Sequence, residues 1–182
     1  MNTANKITIL RILLIPVFMI VLMFKPSLYC DIAAAVIFVI AAATDGVDGY
    51  VARKYNQITD FGKFIDPLAD KLLVATALIC LVEMGRISAW MAVIIIAREF
   101  IVTSLRIVAM SKGVVIAAEM TGKIKTVIQI IATVIVLLFN EPKFNIFGYN
   151  PGYIAMVIAT LFTMYSGVVY LKHNWNLVAD NK

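Results

Sequence analysis

The feature that most constrains this chain is a series of long apolar segments that leaves little sequence for anything else. Six segments of about 20 residues are each long enough to cross a bilayer as a helix. They cover residues 8–28, 31–52, 62–82, 87–110, 122–139 and 152–172. A hydrophobic share of 62% excludes an ordinary soluble domain, in which about half of the residues are apolar. We therefore expect an all-α membrane protein of six transmembrane helices, with residues 1–182 forming one integral-membrane domain.

Turn-forming residues separate the apolar segments and predict where the helices end. The clearest of these signals are Lys25-Pro26-Ser27, Gly85-Arg86, Lys112-Gly113 and Asn150-Pro151-Gly152. The first segment follows Lys6 and Arg11, as a secretory signal would, but no small-x-small cleavage site follows it. It is therefore expected to remain as a transmembrane helix. The two cysteines, Cys30 and Cys80, lie in apolar segments and are expected to be inert packing residues without a disulfide.

The basic residues predict how the chain is oriented. They follow the ends of the apolar segments instead of forming a solvated patch, so the net charge of +5 does not indicate a nucleic-acid partner. With the N-terminus inside, 12 of the 16 Lys and Arg residues lie on the cytosolic side, Arg98 lies at depth, and the other three lie outside. These three are Lys25, Arg86 and Lys143. The asymmetry predicts a multi-pass protein of the cell membrane with both termini in the cytosol.

Four aspartates interrupt this apolar sequence at helical spacing. Asp45 and Asp48 are three residues apart, and Asp66 and Asp70 are four apart, so each pair shares a helix face. A charged side chain at bilayer depth costs on the order of 3 kcal/mol or more, so a cluster of such side chains indicates a functional site. Carboxylates that face one another from two helices repel unless cations lie between them, and ligand sets made only of oxygen suit hard ions such as Mg²⁺ or Mn²⁺.

The pattern Asp-x2-Asp-Gly-x2-Ala-Arg-x8-Gly-x3-Asp-x3-Asp runs from Asp45 to Asp70 without a departure. It resembles the signature of the CDP-alcohol phosphotransferases. This resemblance implies six transmembrane helices with a polar, metal-containing cavity at the cytosolic edge of the bilayer. It also implies an enzyme that moves a phosphatidyl-type group from a CDP-lipid to an alcohol and releases CMP.

The aspartates are the expected metal and catalytic residues. Asp45, Asp48 and Asp66 are predicted to bind two Mg²⁺ or Mn²⁺ ions, which can clamp the attacking and leaving oxygens of a phosphoryl transfer. Asp70 either binds the second ion or acts as the general base towards the acceptor hydroxyl. Spacing alone does not separate these two roles, and the resemblance favours the base. The choice between Mg²⁺ and Mn²⁺ also stays open.

Residues around the aspartates are expected to bind the CDP-lipid. Within the signature, Gly49, Ala52 and Gly62 are expected to make room for cytidine, and Arg53 is expected to pair with a phosphate or with a nearby aspartate. The alternative is that the small residues allow close helix packing and that Arg53 anchors its helix at the interface.

The polar opening of the chain supplies two more candidates, Thr8 and Arg11. It is similar to the family's N-terminal stretch, which contributes to the nucleotide side of the cavity. The alternative is a juxtamembrane helix whose basic residues contact anionic head groups.

Basic residues beyond the signature indicate the acceptor. Arg98 and Arg106, with Lys123 and Lys125, are predicted to bind the phosphate of a phosphorylated alcohol, because a neutral alcohol does not require so much positive charge. The alternative for Arg98 is a structural pair with Glu99. Arg98-Glu99-Phe100 and Gly122-Lys123-x-Lys125-Thr126 also resemble the bacterial phosphatidylglycerophosphate synthases. This second resemblance implies CDP-diacylglycerol and glycerol 3-phosphate as the substrates.

Three questions remain open from the sequence. Inositol phosphate or phosphatidylglycerol is the alternative acceptor within the family, and a cation transporter is the alternative outside it, although no internal repeat supports transport. The oligomeric state is not specified, and a homodimer is one of the states left open. His173, the single histidine, is expected to have an interfacial role.

Overall fold

Six α-helices contain most of the residues that the computed structural model describes, namely 3–24, 27–54, 60–111, 113–114, 120–139 and 150–175. Within 3–6, 45–54, 60–64 and 66–67 it describes the backbone alone. The helices are α1 Thr3–Phe24, α2 Leu28–Lys54, α3 Asp60–Glu83, α4 Ala89–Ser111, α5 Met120–Leu138 and α6 Pro151–His173. No strand occurs in these ranges. The prediction of an all-α chain with a helix at each apolar segment is confirmed.

The helix ends follow from local chemistry. Ser27 precedes α2, and its hydroxyl accepts a hydrogen bond from the Cys30 amide at 3.3 Å, so α2 begins three residues before the apolar segment predicts. Gly85 ends α3 with a positive φ of 68°, and the amides of Gly85 and Arg86 donate to carbonyls of the last turn. At α6, the Asn150 side chain accepts from the Gly152 amide and Pro151 occupies the first turn.

Three of the helices are long and apolar enough to cross a membrane, judged over the described residues. The three segments are Ile7–Phe24, Met120–Leu138 and Pro151–His173. In the part of α2 whose side chains the structure describes, the apolar stretch is Leu28–Thr44. The other helices, α3 and α4, carry charged residues within their length, and these charges reduce their apolar character.

The helices pack as a closed ring in the order α1, α2, α5, α6, α4, α3, and α3 also contacts α2 and α5. Buried apolar side chains fill one half of this ring. Phe18, Phe38, Leu81, Ile95 and Met156 are fully buried there. They come alternately from the C-terminal half of one helix and the N-terminal half of the next, which indicates helices that alternate in direction. Both the start of α1 and the end of α6 therefore lie at the opposite end of the ring.

Polar and charged residues occupy that opposite end. The buried side chains of Thr8, Arg11, Lys125, Thr163 and Ser166 all belong to it. At the apolar end, a buried ion pair forms among the described residues, in which a single Nη of Arg86 donates to both carboxylate oxygens of Asp31 at 2.8 and 2.9 Å. This pair ties the start of α2 to the turn between α3 and α4. The Cys80 and Cys30 thiols are both free.

We predict that Gly152→Ala destabilises the protein by about 1–3 kcal/mol, because overpacking at a close contact forces backbone shifts. A Cβ at Gly152 would lie 2.7 Å from the Cα of Val136, so α5 and α6 would have to separate. The measurement is the thermal midpoint of the purified protein in detergent. Gly122→Ala is the matched control, because a Cβ there meets nothing within 4 Å and alanine favours the helix by up to about 1 kcal/mol. Equal midpoints for the two variants would contradict the close approach of α5 and α6.

Candidate active site

A cavity of about 580 Å³ lies in the polar end of the ring. Residues of α3, α4 and α5 form most of its wall, with Ala42 of α2 and Tyr170 of α6. Among the side chains that the structure describes, its charged lining residues are Asp70, Lys71, Arg98, Glu99, Arg106, Lys123 and Lys125. Five of these seven residues are cations, so the cavity is suited to an anionic ligand. All four residues predicted to bind an acceptor phosphate line the same cavity as Asp70.

The backbones of α2 and α3 bring the four predicted aspartates to a common depth. Asp48 and Asp66 each lie about 9 Å from the end of the helix nearest the α2–α3 connection, and Asp45 and Asp70 each lie about 14–15 Å from it, at 1.5 Å per residue. The two helices pack against each other. The side chains of Asp45, Asp48 and Asp66 lie outside the described part, and so do those of Ala52 and Arg53 and the surroundings of Gly49 and Gly62. Their predicted roles stay predictions.

Asp70 is held by Arg11, whose side chain is fully buried. One Nη of Arg11 donates to Oδ1 of Asp70 at 2.5 Å, and Nε donates to the hydroxyl of Thr44 at 3.2 Å. The Thr44 hydroxyl in turn donates to the Ala41 carbonyl at 2.6 Å. A buried guanidinium requires an anion and further acceptors around it, so this network fixes the position of the Asp70 carboxylate. About 43% of the Asp70 side chain remains exposed, and it lines the cavity.

The contacts of Arg11 bear on its predicted role in binding the CDP-lipid. Arg11 is buried, as is Thr8 one turn before it, and neither residue belongs to the described cavity wall. The observed contact of Arg11 is with the candidate catalytic carboxylate. Binding of a CDP-lipid by Thr8 and Arg11 therefore stays a prediction that these contacts do not test.

Glu99 joins α4 to α5 through two of the predicted acceptor residues. Its Oε1 accepts from the Lys125 ammonium and, at 3.2 Å, from Arg98. Arg98 also donates to the Ser166 hydroxyl of α6 at 2.9 Å, while its Nε is buried without a partner. The structural Arg–Glu pair that the sequence left as an alternative is thus present, and Lys125 belongs to it. Because the pair lines the cavity, it does not exclude contact with a ligand.

The other two predicted acceptor residues lie nearer the end of the ring. The Arg106 Nε donates to the Tyr170 hydroxyl at 3.1 Å, and its guanidinium carbon lies 5.6 Å from the centre of the Tyr170 ring. Arg98 lies about 12 Å deeper than Arg106 along α4. Lys123 is exposed at the start of α5. The four cations therefore extend from the mouth of the cavity towards its floor.

Several residues that line the cavity were not predicted as site residues from the sequence. Lys71 was counted only among the cytosolic charges, although it directly follows Asp70 in the signature helix. Its ammonium donates to the Thr103 hydroxyl of α4 at 2.5 Å. Gln129, which donates to Thr163 at 2.9 Å, and Tyr170 also line the wall. Gln129 follows Lys125 at a spacing of four residues, so a polar stripe on α5 was the signal that would have found it.

Known proteins with similar sequences cover nearly the whole chain. A family model described as "CDP-alcohol phosphatidyltransferase" matches residues 1–165. A Bacillus subtilis protein named "CDP-diacylglycerol--glycerol-3-phosphate 3-phosphatidyltransferase" is 48% identical over 96% of this chain and 95% of its own length. A Pseudomonas fluorescens protein of the same name is 43% identical over 96% of this chain and 91% of its own length. A Mycobacterium tuberculosis protein named "Probable phosphatidylglycerophosphate synthase" is 38% identical over 93% of this chain and 80% of its own length.

We predict that Arg11→Met lowers the stability by about 1–3 kcal/mol, because it removes the charged partner of Asp70. In the double variant Arg11→Met/Asp70→Asn the loss should be smaller than the sum of the two single losses, since the two residues are in direct contact. Thermal unfolding in detergent measures all three variants. Lys172→Met is the control, because Lys172 is exposed in the last turn of α6. Strict additivity would show that the pair contributes nothing.

Proposed function

Because the chain belongs to the CDP-alcohol phosphatidyltransferase family, we propose that it transfers the phosphatidyl group of CDP-diacylglycerol to sn-glycerol 3-phosphate. The products are phosphatidylglycerol phosphate and CMP, and the enzyme is a transferase of phospholipid biosynthesis. The observation that carries this choice of acceptor is the cavity that four cations of α4 and α5 line together with Asp70 of α3. The relatives bear the name of this reaction, and none of this favours the cation transporter.

In the proposed reaction an acceptor hydroxyl attacks the phosphorus that carries the diacylglycerol. The phosphoanhydride bond to CMP breaks, and the proton of the hydroxyl passes to Asp70. Arg11 positions Asp70 for this transfer by holding Oδ1. The cations of α4 and α5 bind the acceptor phosphate, with Arg98 and Arg106 as hydrogen-bonding forks and the lysines as point charges. Such positioning and charge neutralisation are the main contributions a protein makes to phosphoryl transfer.

The donor set fits a divalent metal, and members of this family generally depend on one. Asp70 presents a carboxylate at the cavity, and the packed backbones of α2 and α3 hold three more aspartates at similar depth. We propose that Asp45, Asp48, Asp66 and Asp70 bind two Mg²⁺ or Mn²⁺ ions, because oxygen ligands suit hard ions. When bound, these ions supply the positive charge that offsets the developing charge of the pyrophosphate.

The cavity also has an apolar wall that suits a lipid donor. Leu68, Leu72 and Phe100 line it, and they are 52%, 43% and 63% exposed. Residues that belong both to the cavity lining and to the exposed surface mark an opening between α3 and α4. Diacylglycerol chains can pass through this opening while the head group of the CDP-lipid reaches the aspartates.

We further propose that all six helices cross the cell membrane, with both termini in the cytosol. The helix bounds support this topology, since each helix has 19 to 27 residues and about 20 residues span the hydrocarbon core. Of the charged residues in α3 and α4, Asp70, Lys71, Arg98, Glu99 and Arg106 line the polar cavity, as intramembrane charges generally do. The same end of the ring contains the cavity and most basic residues.

The experiment that tests the function supplies the purified protein with CDP-diacylglycerol and a panel of alcohols and follows CMP release. Glycerol 3-phosphate should be used far better than glycerol, inositol or serine, because the cations need an anion. Arg106→Met and Lys123→Met should each lower kcat/KM for glycerol 3-phosphate by about tenfold to a hundredfold, which corresponds to roughly 1.5–3 kcal/mol. The KM for the CDP-lipid should change little. Lys172→Met is the control.

Arg106 and Lys123 are better targets than Arg98 and Lys125, because the loss of either Arg98 or Lys125 removes one of the two ion-pair partners of Glu99 and so reduces stability. A preference for inositol phosphate, phosphatidylglycerol or an unphosphorylated alcohol would contradict the proposed acceptor but would not change the assignment of the chain to its family.

We predict that Asp45→Asn, Asp48→Asn and Asp66→Asn each abolish turnover while the protein still inserts in the membrane. An amide lacks the charge that a divalent ion requires. EDTA should abolish CMP release by the wild type, and added Mg²⁺ or Mn²⁺ should restore this activity. Glu83→Gln is the control, because Glu83 is an exposed carboxylate at the far end of α3. Near-normal CMP release by any one of the three variants at saturating metal would remove that residue from the metal site.

A further inference from the structure

Lys71 connects two walls of the cavity, because its main chain belongs to α3 whereas its ammonium contacts α4. The main chain is in α3, next to Asp70. The ammonium reaches α4, where it donates to the Thr103 hydroxyl at 2.5 Å. That hydroxyl donates to the Glu99 carbonyl at 2.7 Å, so its own proton is already in use. Thr103 therefore acts as an acceptor towards Lys71, and the contact orients the ammonium.

The position of Thr103 determines where this ammonium lies. Glu99, Thr103 and Arg106 follow one another at spacings of four and three residues, so they share one face of α4. Along the helix axis Thr103 lies about 6 Å from Glu99 and about 4.5 Å from Arg106. The Lys71 ammonium thus lies between the deeper and the outer acceptor residues, and it approaches them from the α3 side of the cavity.

Lys71 differs from the other cations in its partners. Arg98 and Lys125 are both bonded to Glu99, and Arg106 contacts Tyr170. Among the side chains that the structure describes, Lys71 has one hydrogen-bond partner, a neutral hydroxyl, and no carboxylate within ion-pair distance. An ammonium has three donors. Two of them therefore remain for a ligand, in a cavity where the deep cations Arg98 and Lys125 already share the carboxylate of Glu99.

A partly buried ammonium without a counter-ion is costly in a membrane protein. The cost is offset if an anion completes the site. We propose that Lys71 is a further substrate-binding residue and that it contacts the phosphate of the acceptor from the α3 side, opposite Arg98, Arg106 and Lys125. This inference rests on the proposed function. It gives the acceptor phosphate one contact on the same helix as Asp70, so that phosphate and base are held at a fixed separation.

Two substitutions separate the charge of Lys71 from its tether to Thr103. Lys71→Gln removes the charge but keeps an amide that donates to Thr103. Thr103→Val keeps the charge and removes the tether. Lys71→Arg keeps the charge and adds donors, and Lys172→Met is the control at an exposed lysine of α6. Each protein is purified and its thermal midpoint is measured first.

The readouts are the Kd for glycerol 3-phosphate, measured by calorimetry in detergent without CDP-lipid, and the two KM values from CMP release. In Lys71→Gln we expect the Kd and the KM for glycerol 3-phosphate to rise about tenfold to a hundredfold, a range that corresponds to a charge-assisted contact. The KM for CDP-diacylglycerol should stay within about twofold. Lys71→Arg should recover most of the affinity, and Thr103→Val should lose less than Lys71→Gln.

Three results overturn the inference. If Lys71→Gln raises the KM for CDP-diacylglycerol and leaves the acceptor affinity unchanged, the ammonium serves the pyrophosphate of the donor. If Lys71→Gln and Thr103→Val lower the thermal midpoint equally and leave both affinities unchanged, Lys71 only ties α3 to α4. A wild type that binds no glycerol 3-phosphate and releases no CMP with it contradicts the proposed function as well, whereas the first two results leave that function standing.

Discussion

The high cost of burying an unmatched charge governs how this bundle is arranged. A guanidinium that is fully buried, such as that of Arg11, is tolerated because a carboxylate and a hydroxyl surround it. The same requirement joins Glu99 to Lys125 across α4 and α5, and Asp31 to Arg86 at the other end. In each case the matched charges come from different helices or from a helix and a turn. The ion pairs therefore also link helices: Arg11–Asp70 joins α1 and α3, which are neighbours in the ring, whereas Glu99–Lys125 connects α4 and α5, which α6 separates in the ring order.

This requirement also divides the ring into two ends with different properties. The apolar end is packed with side chains such as Phe18, Phe38 and Leu81, and its described part includes the Asp31–Arg86 ion pair. The polar end has a cavity in place of a packed core, because its charged side chains need room for a ligand or for water. Rigid packing at one end thus supports a site at the other, and residues such as Asp70 are held by a scaffold that does not depend on the ligand.

Much of the fold was predictable from the sequence, because apolar segments, glycines and prolines act locally. Five of the six helices end within two residues of the predicted segments, and α1 ends four residues early, just before Lys25-Pro26. The early start of α2 was missed because the cap made by Ser27 is a polar interaction that hydrophobicity does not register. The grouping of Arg98, Arg106, Lys123 and Lys125 at one cavity was also predicted, from their charge and spacing.

The partners of the charged residues were not predictable in the same way. Arg11 and Asp70 are 59 residues apart, and Lys71 and Thr103 are 32 apart. Such contacts depend on the order of helices in the ring, and the ring order depends on packing between distant segments. The sequence left open whether Arg11 contacts the nucleotide side of the cavity or lipid head groups, and it gave no indication of the contact with Asp70, which neither supports nor excludes those roles. Sequence reasoning also missed Lys71, whose neighbour in the sequence is an aspartate but whose neighbour in space is a threonine.

The opening between α3 and α4 affects how the two proposed substrates would meet. A lipid that enters between Leu68 and Phe100 never has to leave the bilayer, so its supply depends on lateral diffusion and on its mole fraction among the other lipids. The acceptor would come from the aqueous phase past Lys123, and its supply depends on bulk concentration. With separate entrances, the two proposed substrates would not compete for one path into the cavity. The lipid product can return to the bilayer through the opening between α3 and α4, while CMP leaves into water.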